Sequence, residues 1–244
     1  MLLVELVRTS SEVARTRSRL AKRGLLAEVL RRATPVELEL VTTWLSGTLR
    51  QRRTGIGWRS LMELPPPAAI ATVEVLEVDD LLERASHLEG SGSVTARRDL
   101  VDGLFARLTS PEQDFLRNLI TGQVRQGALD SVMLDAIAEA ADVPLADVRR
   151  AAQFSAPTGP VAAAALQGGV DALAAFEMRV GRPVRPMLAA SAPDVPLAIE
   201  KAVGAGRALI VDTKLDGIRI QVHRDGDRVQ VVTRSLDDLG HAVG

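Results

Sequence analysis

One short stretch of the 244-residue sequence combines the side chains that nucleotide chemistry needs. It runs from Asp212 to Arg219 and contains Lys214, one of only three lysines beside 27 arginines. Lys214 follows an apolar run, and desolvation lowers the pKa of an amine and makes it a nucleophile near neutral pH. Asp216 and Arg219 add an anion and a cation, and Gly217 permits close backbone approach. The set suits a nucleotide with its metal, although a lysine–aspartate pair on a solvated turn has the same spacing.

A second polar turn, Gly122-Gln-Val-Arg125-Gln126-Gly127, interrupts the helical pattern. Such a turn could direct Arg125 and backbone N–H groups at a phosphate, as the N-termini of helices often do. An ordinary helix-to-helix turn accounts for the same residues. Both interpretations stand on the sequence of the turn alone.

Charge is distributed unevenly along the chain, whose net charge is −1. Residues 1–60 carry 12 basic and 5 acidic side chains, a net +7, whereas residues 61–150 carry 8 and 16, a net −8. The basic first quarter is compatible with binding a phosphate backbone and equally with a solvated charged face.

The composition excludes several kinds of site. There is no cysteine, which excludes disulfides, thiolate metal sites and cysteine nucleophiles. Three scattered histidines do not supply the ligands of a structural zinc site, so we expect none. No apolar run approaches the roughly 20 residues that span a bilayer, and Glu5 and Arg8 interrupt the N-terminus too early for a signal peptide. We expect a cytoplasmic protein without a membrane segment.

These candidate residues must be positioned by a helical part and a strand part. Apolar residues recur at helical spacing from residue 9 to about 178, with a loop around Gly55, Gly57 and the prolines 65–67. Pro183 and Pro186 forbid helix and place a domain boundary after residue 180, giving domains 1–180 and 181–244. Helices are predicted to begin at Ser10 or Ser11 (with Val13 and Leu20 facing inward), Thr34-Pro35 (running through Leu38, Val41, Leu45 and Leu49), Asp79 or Asp80, Ser93 and Ser110-Pro111, and to fill 129–140, 144–153 and, as a pair, 158–178.

Beyond a further helix at 194–204, the period of the apolar pattern changes from 3.6 to 2. Residues 208–211 predict a buried strand, and Ile218, Ile220 and Val222 predict the apolar face of a half-buried one. Asp225-Gly226 predicts a two-residue hairpin loop with a return strand over 229–233.

The motifs resemble those of a known enzyme family. Lys214-Leu-Asp216-Gly217 with Arg219 is similar to the K-x-D-G-x-R motif that DNA ligases, RNA ligases and capping enzymes share. Three further segments resemble ATP-dependent DNA ligases, of the actinobacterial accessory type, in order and spacing: 181–189 the approach to the adenylation domain, 233–238 the motif after the hairpin, and 122–127 a turn that contacts the DNA minor groove.

The resemblance implies a role for each matching residue. Lys214 would attack the α-phosphate of ATP and carry AMP, with Asp216 orienting the lysine or Mg²⁺. Gly217 would allow close approach of the nucleotide, and Arg219 and Arg234 would bind its phosphate or sugar.

The resemblance also implies contacts with adenine and DNA. Asp212 stands where ligases usually have a glutamate that contacts adenine, and its shorter side chain reaches less far. Arg125, Gln126 and Gly127, with the basic N-terminal helices, would grip duplex DNA around a nick.

The resulting expectation is a mostly α protein: an all-helical DNA-binding domain followed by the first antiparallel strands of an α+β nucleotidyltransferase domain. The later metal-binding carboxylates, distal lysines and OB domain of ligases do not follow in this sequence, so we expect a monomeric N-terminal fragment with negligible ligation activity of its own. The alternatives are a non-catalytic DNA-binding module and, against the long helical part, an RNA ligase or capping enzyme.

Overall fold

A computed structural model of the chain describes residues 1–51, 53–124, 129–155, 157–186, 191–203, 208–213, 216–234, 236 and 238–239, with only the backbone of Leu129. The chain divides into two compact units, Met1–Glu177 and Met178–Gly244, each described below by itself. Whether these units correspond to domains with a boundary after residue 180 stays a prediction.

The first unit is built from helices around one apolar core. Trp44 and Phe105 are the largest side chains that are fully buried in it, among leucine, valine and alanine. Helix α2 packs along α7, α3 packs against α9, and α1 contacts both α2 and α6. The helices are α1 (Leu3–Arg15), α2 (Arg19–Arg32), α3 (Leu38–Leu45), α4 (Val75–Ser86), α5 (Ser93–Phe105), α6 (Ser110–Ile120), α7 (Leu129–Ala141), α8 (Leu145–Gln153) and α9 (Gly159–Ala174), with a 3₁₀ turn at Trp58–Leu61.

The start of α1 corrects the prediction that this helix is capped by Ser10 or Ser11. The helix begins at Leu3 because its first N–H groups have partners: Leu3 N donates to the carbonyl of the distant Val73 at 2.8 Å, and Leu2 N donates to the carboxylate of Glu5 in the first turn at 3.0 Å. Ser10 lies buried inside the helix.

A separate helix follows α1, so the positions that face the core are not continued from one helix to the next. Ser18 caps a separate helix, α2, by accepting a hydrogen bond from Ala21 N at 3.2 Å. Leu20 therefore lies on the solvent side, 65% exposed, instead of facing inward as predicted, whereas Val13 is buried as expected.

Three more predicted starts are wrong, and one predicted end. Helix α3 begins at Leu38 and not at Thr34-Pro35, because residues 35–37 form a turn in which Glu37 N donates to the Thr34 carbonyl at 2.9 Å. Helix α4 begins four residues before Asp79, at Val75, because Val75, Val78 and Leu82 form its buried face. In α6 the cap is Thr109, one residue early, whose N–H and hydroxyl both donate to Glu112. Leu49 lies beyond the end of α3.

The remaining helix predictions of the first unit are confirmed. Helix α5 begins at Ser93, and α7 and α8 fill their predicted segments. The expected pair of helices over 158–178 is α9 with a kink at Gly169, whose φ is +60°. Gly159 lets α9 approach α3 closely, since a Cβ there would lie 2.8 Å from the Glu39 carbonyl oxygen.

The second unit contains helix α10 (Val195–Val203) and an antiparallel hairpin of β1 (Ile220–Asp225) and β2 (Arg228–Thr233). Asp225 pairs with Arg228, so the loop residues are Gly226 and Asp227, one position later than predicted. Gly226 has φ +57°, which only glycine adopts without strain and which the tight loop requires. The mostly helical fold class followed by antiparallel strands is thus confirmed in the described residues.

Two strand predictions in this unit are wrong. Residues 208–211 form no strand, and Ile210 and Val211 are 90% and 85% exposed, because an apolar run becomes a buried strand only where a neighbouring strand and a covering layer exist. On β1 the faces are reversed: Val222 is exposed, whereas Gln221 and His223 are half-buried.

No helix within the described ranges combines the length and apolar character that crossing a bilayer requires.

The fold generates a prediction at Glu37, a buried carboxylate that accepts hydrogen bonds from the Met1 amino group and from the N–H and hydroxyl of Thr34. Burial by itself raises the pKa of Glu37, but these hydrogen bonds outweigh it and leave the pKa below its ordinary value. A lowered pKa contributes stability above the unfolded-state pKa, and this stability is lost as pH falls through the folded pKa. Glu37→Gln should therefore lower the free energy of unfolding at pH 7 by about 1–3 kcal/mol, measured by urea denaturation.

The difference between Glu37→Gln and the wild type should shrink as pH falls from the ordinary glutamate pKa through the lowered pKa of Glu37 in the folded state, where the wild-type carboxyl becomes protonated. Glu28→Gln, at an exposed position of α2, is the matched control and should change little. Equal effects of the two substitutions, or a difference that does not depend on pH, would contradict the proposed role of the Glu37 charge.

Candidate functional site

The open end of the β1–β2 hairpin brings two arginines together that are 15 positions apart in the sequence. Ile220 pairs with Thr233, so Arg219 enters the hairpin where Arg234 leaves it. Both side chains are exposed. Two guanidinium groups at one end of a sheet form a surface suited to an anion such as phosphate.

Asp216 and Gly217 lie immediately before this end. Gly217 has φ +156°, a backbone conformation that side-chain-bearing residues rarely adopt, and no atom lies within 4 Å of where its Cβ would be. Its N–H donates to Asp216 Oδ1 at 3.1 Å. The Asp216 carboxylate is exposed, and Asp216 and Gly217 precede Arg219 by three and two residues in the chain.

Of the other two residues predicted for the nucleotide site, the structure describes Asp212 but not Lys214. Asp212 lies on the extended segment 208–213 and accepts a hydrogen bond from Thr213 N at 2.8 Å through Oδ1. Lys214 lies outside the described residues, between Thr213 and Asp216. Within the described residues no group of three or more histidine, aspartate or glutamate side chains could hold a metal ion.

The turn after α6 is described as far as Val124. Gly122, with φ +65°, donates to the Leu119 carbonyl at 3.2 Å, and Gln123 N donates to the Asn118 carbonyl at 2.7 Å. This pair of hydrogen bonds is a Schellman motif, which ends a helix by satisfying its last carbonyls. Gly122 is therefore explained by helix termination.

The rest of this turn carries the predicted DNA contacts. Arg125, Gln126 and Gly127 lie outside the described residues, and α7 begins directly after them at Leu129. Their position before a helix N-terminus keeps the two interpretations of the turn open.

A groove of about 360 Å³ lies between α1 and α6, next to the described half of this turn. Its lining is divided equally between neutral polar and apolar residues, and its one acidic residue, Asp114, is paired with Arg117 at 2.7 Å. We call it the α1–α6 groove; it is lined by Val7, Ser10, Ser11, Ala14, Ser110, Pro111, Asp114, Phe115, Asn118, Gln123 and Val124.

Several arginines of the basic first quarter are paired with acidic residues of the same unit. Arg19 donates to Asp135 at 2.7 Å, and Arg50 donates to Asp79 at 2.8 Å and Glu83 at 3.0 Å. The hydrogen bond to Asp79 raises the pKa of Arg50. Part of the charge asymmetry between residues 1–60 and 61–150 is thus cancelled by contacts within the first unit.

Arg8 and Arg15 of α1 are not used in this way. Both are exposed, and neither forms an ion pair within the described part of the chain. They lie three residues before and four residues after Ser11, which lines the α1–α6 groove, so all three share one side of the helix. Arg17, Arg53 and Arg59 are likewise exposed and form no ion pair among the described residues, so what sets Arg8 and Arg15 apart is their position on the Ser11 side of α1.

Comparison with known proteins identifies the family. Residues 65–138 match the family described as "DNA ligase N terminus", and residues 186–243 match the "ATP dependent DNA ligase domain". The chain belongs to the ATP-dependent DNA ligases. In this ligase family chain, the first match contains α4, α5, α6 and the 122–127 turn, and the second contains the whole β1–β2 hairpin with Lys214.

Curated relatives support the assignment over almost the full chain. Proteins named "Probable DNA ligase" from Beutenbergia cavernae, a Nocardioides species and Rhodococcus opacus are 54%, 52% and 50% identical to it over 244 residues, covering 98%, 98% and 100% of the chain. The alignments cover 48%, 47% and 48% of the relatives themselves. The chain therefore spans about half the length of the curated relatives it matches.

The Schellman motif generates a prediction about the turn. Gly122→Ala forces a Cβ into a left-handed conformation and should destabilise the chain by about 1–2 kcal/mol. Gly103→Ala, at an exposed position inside α5 with no atom within 4 Å of the added Cβ, should instead stabilise it by up to about 1 kcal/mol. Thermal or urea unfolding of both variants measures this, and the same sign for the two changes would refute the assigned role of Gly122.

Proposed function

We propose that this chain is the DNA-gripping and AMP-accepting part of an ATP-dependent DNA ligase that seals nicks in duplex DNA. The observation that carries the proposal is the register of the hairpin, which brings Arg219 and Arg234 to its open end. Asp216 and Gly217 come just before Arg219 in the chain, and Asp216 follows Lys214 by two residues. The family match over 186–243 contains all five of these residues. The protein would act as a monomer in the cytoplasm.

In the proposed first step, the Lys214 amine attacks the α-phosphorus of ATP. A nitrogen–phosphorus bond forms, the bond from the α-phosphorus to the bridging oxygen breaks, and pyrophosphate leaves; the amine loses a proton. The product is AMP held on Lys214 as a phosphoramidate.

Two further steps complete sealing. The 5′-phosphate at the nick attacks the phosphorus of this AMP and releases the lysine amine. The 3′-hydroxyl then attacks the 5′-phosphorus, closes the phosphodiester bond and expels AMP.

The described residues suit the charge that develops in these steps. Arg219 and Arg234 would bind phosphate oxygens or the sugar of the nucleotide, which is the role that two exposed guanidinium groups at one end of a sheet can fill. A divalent metal such as Mg²⁺, when bound with ATP, neutralises phosphate charge. Mg²⁺ commonly takes only one or two protein carboxylates beside substrate phosphates, and Asp216 could supply one.

Asp212 would contact adenine in place of the usual glutamate. Its Oδ1 already accepts a hydrogen bond from Thr213, and its side chain is one methylene shorter. The contact it makes would therefore be weaker than that of a glutamate.

The first unit would hold the duplex. Arg8 and Arg15 on the rim of the α1–α6 groove would contact phosphates, and Arg125 with Gln126 and Gly127 would contact the minor groove. Contacts of this kind give salt-sensitive binding with little sequence preference, which a nick-sealing enzyme needs.

A first prediction tests the nucleophile. We expect the product of the longest reading frame that contains this sequence to gain the mass of one AMP when incubated with ATP and Mg²⁺, and Lys214→Ala to abolish this gain. Lys201→Ala, which removes a lysine of α10, is the matched control and should label normally. Labelling that survives Lys214→Ala would refute the assignment.

Residues 1–244 alone should seal nicks no faster than their own Lys214→Ala variant. Losing even one group that stabilises developing charge costs about 10²–10³ in rate, and the later carboxylates and lysines of ligases do not follow within this sequence. Sealing above the variant's background, measured on a labelled nicked duplex, would overturn this expectation.

A second prediction tests the affinity of residues 1–244 for DNA. Binding to nicked duplex should exceed binding to intact duplex and single strands, and should weaken steeply with salt. The double substitution Arg8→Gln and Arg15→Gln should lower the slope of log affinity against log salt by about two. Arg84→Gln, which removes an exposed arginine of α4, is the control and should leave the slope unchanged. No change of slope in the double variant would remove these arginines from the interface.

A non-catalytic DNA-binding module is the second candidate. It is favoured by a contrast between the units: the first has a continuous apolar core, whereas apolar residues of the second, such as Ile210 and Val222, are exposed. This candidate predicts nick binding by residues 1–244 together with no AMP transfer to the longer product. Equal affinity for an RNA duplex would instead favour RNA as the substrate.

A further inference from the structure

The polar face of the hairpin forms a second, separate concentration of positive charge. Cross-strand pairing places His223 opposite Gln230 and Asp225 opposite Arg228 on one face of the sheet. This face carries neither Ile220 nor Val222, which lie on the other.

The segment that precedes the hairpin in the chain is fixed onto this polar face. Gln221 binds the backbone of Val184 twice, accepting from its N–H at 2.8 Å and donating to its carbonyl at 2.7 Å. Gly181 N donates to His223 Nδ1 at 3.2 Å, and Gly181 adopts φ +83°. These hydrogen bonds hold residues 179–184 in a defined position without any ligand.

The result is a cavity of about 380 Å³, here called the hairpin cavity. It is lined by Arg179, Val180, Gly181, Arg182, His223, Asp225, Arg228 and Gln230. Three arginines and one aspartate give its walls a net charge of +2. Like charges brought together raise the energy of the folded state unless an anion compensates them.

Two of these arginines are available to such an anion. Arg182 and Arg228 are exposed, and across the described ranges neither forms an ion pair, even though Arg228 is the cross-strand partner of Asp225. Arg179 already has an interaction within the protein, so the argument does not depend on it.

His223 supplies an independent sign that an acceptor is missing. Because Nδ1 accepts the Gly181 N–H, the proton of the neutral ring belongs on Nε2. Nε2 is buried and has no hydrogen-bond partner in the described part of the chain. A buried donor without an acceptor is destabilising, and a ligand oxygen that accepted from Nε2 would remove that cost.

We propose that the hairpin cavity is a phosphate-binding site, distinct from the open end of the hairpin. Arg182 and Arg228 bind phosphate oxygens, and Gln221, through Val184, positions the segment that carries Arg182. The phosphate belongs either to a nucleic-acid backbone or to a free anion, since both present the same oxygens. The site lies away from the open end of the hairpin, because Asp225 and Arg228 flank the loop at the opposite end.

The test uses residues 1–244 with Arg182→Gln and Arg228→Gln combined, each variant first checked for unchanged thermal unfolding. Its control is Arg224→Gln, an exposed arginine of β1 on the opposite face of the hairpin. Two measurements are made: the salt dependence of binding to a nicked duplex, and calorimetric titration with inorganic phosphate and pyrophosphate.

For a backbone phosphate, the double variant should lower the slope of log affinity against log salt by about two, and the control should not. For a free anion, DNA binding is unchanged, whereas saturable phosphate or pyrophosphate binding is present in the wild type and control and lost in the double variant. A lysine double variant, Arg182→Lys with Arg228→Lys, should keep the wild-type slope of log affinity against log salt because it retains both positive charges.

The proposal is overturned if the glutamine double variant matches the wild type in both measurements, or if Arg224→Gln has the same effect. The function proposed above is tested separately. Nick binding through the α1–α6 groove and AMP transfer to Lys214 can both persist when the hairpin cavity binds no phosphate.

Discussion

A guanidinium group that satisfies a carboxylate or a helix-end carbonyl inside the fold is no longer available to phosphate. Arg97 donates to the Ala85 carbonyl at 3.3 Å in the last turn of α4, and Arg150 donates to the Leu173 carbonyl at 2.7 Å in the last turn of α9. These carbonyls need donors because the last turn of a helix has none of its own. The planar fork of arginine fits two such acceptors at once, which makes arginine suited to both structural and phosphate contacts. Which arginines remain for DNA is therefore decided by what the helix ends require.

This division gives the two units different electrostatic characters. In the first unit, Arg19 and Arg50 are drawn to acidic residues of α7 and α4, while Arg8 and Arg15 stay exposed on α1. If this unit binds DNA, it would do so through exposed charges, whose attraction to phosphate is screened by salt. In the second unit, the pairing of β1 with β2 brings arginines close together.

The register of one hairpin produces both concentrations of charge in the second unit. Pairing of Ile220 with Thr233 brings Arg219 and Arg234 together at the open end, and pairing of Asp225 with Arg228 puts Arg228 at the other. A shift of one residue would move His223 and Gln230 to the opposite face and separate Arg228 from the 179–184 segment. A single register thus produces both the open end with Arg219 and Arg234 and the hairpin cavity on the same two strands.

The sequence by itself determined the helical character, the hairpin and the Lys214 motif, because these depend on periodicity, on a glycine-containing loop and on neighbouring residues. It could not determine the start of α1, since the helix begins where Leu3 meets Val73. Nor could it assign the faces of β1: alternation shows that two faces exist, whereas the Gln221 contacts with Val184 decide which is covered. The juxtaposition of Arg219 with Arg234 likewise depends on register. Local signals fix local structure, but burial and convergence depend on partners that are distant in sequence and become neighbours only in the tertiary structure.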